Sequence, residues 1–147
     1  MKTFVIDANV AAKWCLPEKD EPLVSQARTL LEAYTCAEIG LIVPDLFWPE
    51  LGNVLWKAVR RGRLSNGDAH SALEFLQGLN IPTYSCSDFL PETLHVALFC
   101  GRSFYDSLYA TLAEHSSVEL ITADERLANA LAASMSVKWL GAMFGAV

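Results

Sequence analysis

Two rhythms alternate along this chain. Phe4-Val5-Ile6 and Leu41-Ile42-Val43 are short unbroken apolar runs. Runs of that length and β-favouring character read as strands buried on both faces, as in a parallel sheet. Val118-Glu119-Leu120-Ile121-Thr122 and Val137-Lys138-Trp139-Leu140 read as further strands. Ile81-Pro82-Thr83-Tyr84 is a weaker one, and its proline sends it to a sheet edge.

Between these runs the apolar spacing lengthens to that of helices. Val10 to Trp14 predicts a short helix stopped at Leu16-Pro17. Pro22 suits the first turn of a second, with Leu23, Ala27, Leu30 and Leu31 on its apolar side. Leu51, Val54, Leu55 and Ala58 recur at i, i+3, i+4 and i+7, one face of an amphipathic helix that Gly62 ends. Ser65 reads as an N-cap with Asp68 as its partner, ahead of Ala69, Leu73, Leu76 and Leu79. Pro91-Glu92 starts a helix with Leu94, Ala97 and Leu98 inward, closed by Gly101. A further helix from Ser103 places Tyr105, Leu108, Tyr109 and Leu112 at core spacing. The last follows Asp124 through Leu127, Ala130 and Leu131. Strands alternating with helices predict an α/β domain around a parallel sheet.

Composition narrows the class. The 147 residues suit one domain, residues 1–147, and 52% hydrophobic against 19% charged residues predicts a globular chain. No apolar run approaches the ~20 residues of a membrane span. Asp7 and Asn9 interrupt the start, which does not read as a signal peptide, so a cytoplasmic location is expected. Cys15, Cys36, Cys86 and Cys100 are scattered without C-x-x-C spacing, which argues for reduced thiols and against zinc. His70, His95 and His115 are scattered too. The formal charge of −6 is wrong for a nucleic-acid binder taken as a whole. Acids gathered in one pocket to hold cations would, however, count against the total without repelling a substrate once metal is bound.

Asp7 and Asp124 follow strands, whereas Glu50 and Asp106 sit in first turns of helices. Each has an ordinary explanation as a cap or as compensation of the helix dipole. Taken together they form a set, because strand C-ends and helix N-ends share one edge of a parallel α/β sheet. Four carboxylates converging there would repel one another, and a hard cation such as Mg²⁺ or Mn²⁺ relieves that conflict. Two such ions ~4 Å apart can activate water and stabilise the leaving oxygen of a phosphodiester.

Phe4-Val5-Ile6-Asp7-Ala8-Asn9-Val10, Pro49-Glu50-Leu51-Gly52-Asn53-Val54-Leu55, Phe104-Tyr105-Asp106-Ser107-Leu108-Tyr109-Ala110 and Thr122-Ala123-Asp124-Glu125-Arg126-Leu127 also carry a resemblance. In this order and at domain-wide spacing they resemble the PIN-domain ribonucleases, in particular the VapC-like toxins of toxin–antitoxin pairs. That resemblance implies a three-layer α/β/α sandwich, Mg²⁺- or Mn²⁺-dependent cleavage of RNA, and a homodimer. It also implies an antitoxin that inhibits the nuclease and supplies the DNA-binding part of a repressor complex. The acidic quartet carries over onto Asp7, Glu50, Asp106 and Asp124 as catalytic metal ligands. Asn9 and Thr122 match the supporting polar positions, which orient carboxylates or the attacking water.

Lys57, Arg60, Arg61 and Arg63 lie in one short window and are candidates for holding RNA phosphates, against a plain role as cations at a helix end. Phe47, Trp48 and Trp56 suit base stacking, the core or a partner's helix. Leu46 to Trp48 and Val10 to Trp14 are the expected antitoxin contacts. Two rival functions remain open. A haloacid-dehalogenase-type phosphatase would want an acid two residues after Asp7, where Asn9 stands. A non-catalytic interaction domain would use the acids as caps alone.

Overall fold

The computed structural model describes residues 1–144. Five parallel strands, β1 (Lys2–Ile6), β2 (Ile39–Pro44), β3 (Thr83–Tyr84), β4 (Glu119–Thr122) and β5 (Val137–Trp139), lie in the order β3-β2-β1-β4-β5. The helices are α1 (Ala8–Ala12), α2 (Val24–Thr35), α3 (Phe47–Arg60), α4 (Asn66–Gly78), α5 (Leu90–Cys100), α6 (Phe104–His115) and α7 (Glu125–Leu131). Together they make the three-layer α/β/α arrangement expected from the sequence. β1 is central because Phe4, Val5 and Ile6 are apolar on both faces, and all three are buried. β3 is an edge strand, as its neighbouring proline requires.

Helix α6 packs across β1, β2 and β4, burying Leu108, Tyr109 and Leu112 beneath the centre of the sheet. Helix α3 buries Phe47, Leu51, Leu55 and Ala58 and packs against α1. Ser65 caps α4 by accepting from the Asp68 amide at 3.0 Å, as anticipated.

Several expectations need correction. α1 begins at Ala8 rather than Val10, since Asp7 itself caps it. α2 begins at Val24, and Pro22 stands outside it; Leu23 precedes the helix in the left-handed region at φ 61°. Ala130 is exposed while Ala128 is buried. The largest revision concerns α5. Its buried side chains are Thr93 and Val96, whereas Leu94 and Leu98 face solvent, 51% and 77% exposed. Tyr105, expected in the core, is also exposed. Helical spacing identifies an apolar stripe but not what the stripe faces.

Candidate active site

The site is built at the C-terminal end of the sheet, where β1 and β4 stop side by side. The Asp7 amide donates to the Ile121 carbonyl at 3.0 Å, extending the ladder one step beyond β1. This sets the Asp7 carboxylate against the end of β4. Asp7 is buried, and three neutral donors meet it. The Asn9 amide reaches Oδ1 at 3.3 Å; Asn9 Nδ2 and the Thr122 hydroxyl reach Oδ2 at 3.1 and 3.0 Å.

Asn9 and Thr122 also tie Asp7 to Asp124. Asn9 donates to Thr122 Oγ1 at 3.2 Å and accepts from the Ala123 amide at 3.0 Å. Thr122 Oγ1 accepts from the Asp124 amide at 3.1 Å. Asp124 then caps α7, its Oδ1 accepting from the Leu127 amide at 3.1 Å. Capping and membership of the site are thus compatible, because a helix N-terminus attracts an acid and presents it at the sheet edge.

Glu50, in the first turn of α3, accepts a hydrogen bond from the Tyr109 hydroxyl at 2.5 Å. Asp106 lies in the first turn of α6, whose Ser103 cap accepts from the Asp106 amide at 3.1 Å. Burial is the chief cause that pushes Asp7 from its ordinary 3.8 up to about 7, and repulsion from Glu50 and Asp106 adds to it. Burial likewise raises Glu50; the Tyr109 hydrogen bond lowers it and Asp106 raises it further. Glu50 and Asp106 thus act on Asp7, and Asp106 on Glu50, from separate helices.

Arg102 and Tyr109 also contact the candidate acids, although apolar spacing left Arg102 unmarked and marked Tyr109 for the core alone. Arg102 pairs with Asp106 at 3.5 Å and Asp124 at 3.8 Å. Its position four residues before Asp106 was the available signal. Tyr109 read only as a core residue, and it is one: it is 1% exposed. Three residues after Asp106, its hydroxyl also reaches Glu50.

The basic window lies elsewhere. Lys57 and Arg60 occupy the last turn of α3, and Arg60 is about 15 Å along the axis from Glu50. Arg60 rests over the exposed Trp56 ring, its guanidinium carbon 5.2 Å from the ring centre. Arg61 caps the helix, and Arg63 pairs with Glu21 at 3.6 Å. Glu21 also pairs with the nearly buried Lys13 at 3.3 Å, fastening the loop after α1 to the α3–α4 turn. The aromatic candidates divide as well. Phe47 is core, and Trp48 stacks edge-on against it while donating to Thr83 Oγ1 at 3.1 Å.

The PIN domain family model matches residues 4–131. Ribonuclease VapC3 of Pyrobaculum aerophilum is 34% identical over 133 residues, covering 85% of this chain and 92% of that one. Exonuclease VapC9 of the same organism is 38% identical over 82 residues, 53% of this chain and 57% of that one. Among solved structures, PAE2754 from Pyrobaculum aerophilum superposes with a TM-score of 0.64 at 27% identity, covering 88% of this chain and 79% of that one. VapBC2 from Rickettsia felis, crystallised with a DNA fragment from its promoter, has the same fold. Its TM-score is 0.62 at 12% identity, over 93% and 98% of the two chains. The chain belongs to the PIN-domain family, among its VapC-like members.

Proposed function

We propose that this protein is a metal-dependent endoribonuclease, the toxin of a toxin–antitoxin pair, with Asp7, Glu50, Asp106 and Asp124 as its acidic centre. The observation that carries the reading is Asp7. It is a buried carboxylate met only by neutral donors; burial above all, with Glu50 and Asp106 adding repulsion, pushes its pKa up to about 7. A protein that needed only a helix cap there would gain nothing from assembling further acids around it.

The donor set suits a hard cation, since the site offers carboxylate oxygens with no His or Cys among them. Among the described residues no three acidic, His or Cys side chains already close around a common point. Asp7, Glu50 and Asp106 would hold a principal Mg²⁺ or Mn²⁺, and Asp124 would complete or shape a second position. Such an ion, when bound, supplies an activated water nucleophile and charge stabilisation at the leaving oxygen. The protein's part is orientation. Asn9 and Thr122 fix the Asp7 carboxylate, Tyr109 fixes that of Glu50, and the Asp124 cap fixes its own.

The phosphatase reading loses ground at Asn9. Both ends of its amide are engaged, by Asp7, Thr122 and the Ala123 amide, which leaves no acid at that position. The partners follow the family. RNA is the substrate, an antitoxin protein is the inhibitor, and DNA is met only through that antitoxin. The α1 part of the expected antitoxin contact is narrowed, because Val10, Ala11 and Ala12 are core. A second copy of the chain is the proposed cover for the exposed apolar side of α5. Among the described residues no helix is long and apolar enough to cross a membrane, and the proposed location is the cytoplasm.

The test compares cleavage of total RNA by wild type and Asp106→Asn with Mg²⁺, with Mn²⁺ and with chelator. Cleavage by the wild type that needs metal and is lost in the variant is the expected result. Equal, metal-independent cleavage by both proteins removes the mechanism.

A further inference from the structure

Arg102 is the one cation that, among the described residues, makes ion pairs with the acids of the site. Its guanidinium reaches Asp106 Oδ2 at 3.5 Å and Asp124 Oδ2 at 3.8 Å. Both distances exceed the ~2.7–2.9 Å of a fitted charge-assisted hydrogen bond. Its Nε is buried and has no partner among the described residues. Charge, rather than fitted geometry, holds this side chain where it is.

The acids are thereby divided into two pairs. Asp7 and Glu50 are bound by neutral donors from Asn9, Thr122 and Tyr109. Asp106 and Asp124, from different elements, are both engaged by Arg102. That division agrees with the finding that no three acids among the described residues already face a common point.

We propose that Arg102 is an internal counter-ion of the acidic site, competing with a divalent cation for the Asp106 and Asp124 carboxylates and released when the cation binds. The inference rests on the metal-site reading above. A group that stabilises the metal-free form by neutralising those carboxylates lowers the apparent affinity for the ion by the same free energy. A residue that merely oriented the two carboxylates for the ion would have the opposite effect. The sign of the change on removal therefore separates the two roles.

The experiment titrates the chelator-treated full chain with MnCl₂ alone in a calorimeter, as wild type, Arg102→Met and Arg102→Lys. Met keeps the aliphatic stem and removes the charge, whereas Lys keeps the charge. Arg102→Met should bind Mn²⁺ about three- to tenfold more tightly, the range two partly exposed ion pairs can supply. It should also melt lower in chelator and gain more from Mn²⁺, with Arg102→Lys staying near wild type. Arg102→Gln, which keeps hydrogen-bond donors, replaces Met if that variant does not fold. Wild type that binds Mn²⁺ as tightly as the neutral variant, or more tightly, overturns this inference alone. Wild type that binds no Mn²⁺ overturns the metal-site reading with it.

Discussion

The Tyr109 hydroxyl donates to Glu50 across the gap between α6 and α3, from a ring that is 1% exposed. Burial and the neighbouring carboxylates of Asp7 and Glu50 push the phenol's pKa far up, so it remains a proton donor at any working pH. The hydrogen bond opposes the burial that raises Glu50. Tyr109→Phe removes that opposition and leaves the packing nearly unchanged. The acid limb of the pH–activity profile should therefore move to higher pH, and stability at neutral pH should fall by about 1–2 kcal/mol. An acid limb that stays in place would show that Tyr109 serves packing alone.

Asp7 gives the metal-free protein an unusual pH dependence. Its folded pKa is raised from 3.8 to about 7, chiefly by burial, so the folded chain holds a proton that the unfolded chain releases between those values. Stability therefore falls as pH rises from about 4 to about 7, by on the order of a few kcal/mol from this group. Asp7→Asn replaces the carboxylate with a neutral group of the same shape. Melts in chelator across that window should give a flatter profile for the variant, and a higher melting temperature than wild type at pH 7. RNA cleavage should be lost at the same time. Parallel profiles for the two proteins would remove Asp7 as the source.

The four candidate acids could be singled out because a strand-end or first-turn acid leaves a local trace: Asp7 and Asp124 follow apolar runs, and Glu50 and Asp106 open amphipathic helices. Parallel topology then dictates that these ends meet at one edge. Leu94, Leu98 and Tyr105 defeated the same reasoning. They keep helical spacing, yet period alone does not distinguish a face turned to the chain's own core from one turned outward. Arg102 and Tyr109 were hidden for a different reason. Each joins residues distant in sequence, Arg102 reaching Asp124 and Tyr109 reaching Glu50. Leu23 at φ 61° has no glycine to announce it.

Thr122 joins the two strand-end acids through one oxygen. It donates to Asp7 and accepts from Asn9 Nδ2 and the Asp124 amide. Thr122→Val keeps the β-branched shape at the end of β4 while leaving those donors without their acceptor. A loss of about 2–3 kcal/mol in urea unfolding is expected, together with reduced cleavage. A loss under about 0.5 kcal/mol, the usual range for a surface change, would mean the network is not cooperative.

Arg60 and Arg61 stand at the far end of α3 from Glu50, so any role in RNA binding is remote from the acids. Neutralising both should weaken RNA binding and reduce the magnitude of its logarithmic salt slope by about 1.4, the loss of two single-stranded phosphate contacts. Binding measured at several salt concentrations checks this. An unchanged slope would return both residues to the role of cations at a helix C-terminus.

Leu94, Leu98 and Phe99 present apolar side chains on α5 that the chain's own core does not cover, with Tyr105 exposed at the start of α6. Exposed leucines scattered singly are ordinary, but Leu94 and Leu98 stand one turn apart with Phe99 beside them. If two copies cover this surface, Leu98→Glu with Phe99→Ser would set charge and lost apolar area against the contact in both copies at once. The expected result is a molar mass by light scattering that falls from two chains to one. Because both residues are largely exposed, the isolated chain's stability should change by no more than about 0.5 kcal/mol per substitution. A wild type that is monomeric at high concentration, or a variant that keeps the mass of two chains, would show that this face is not the contact between copies.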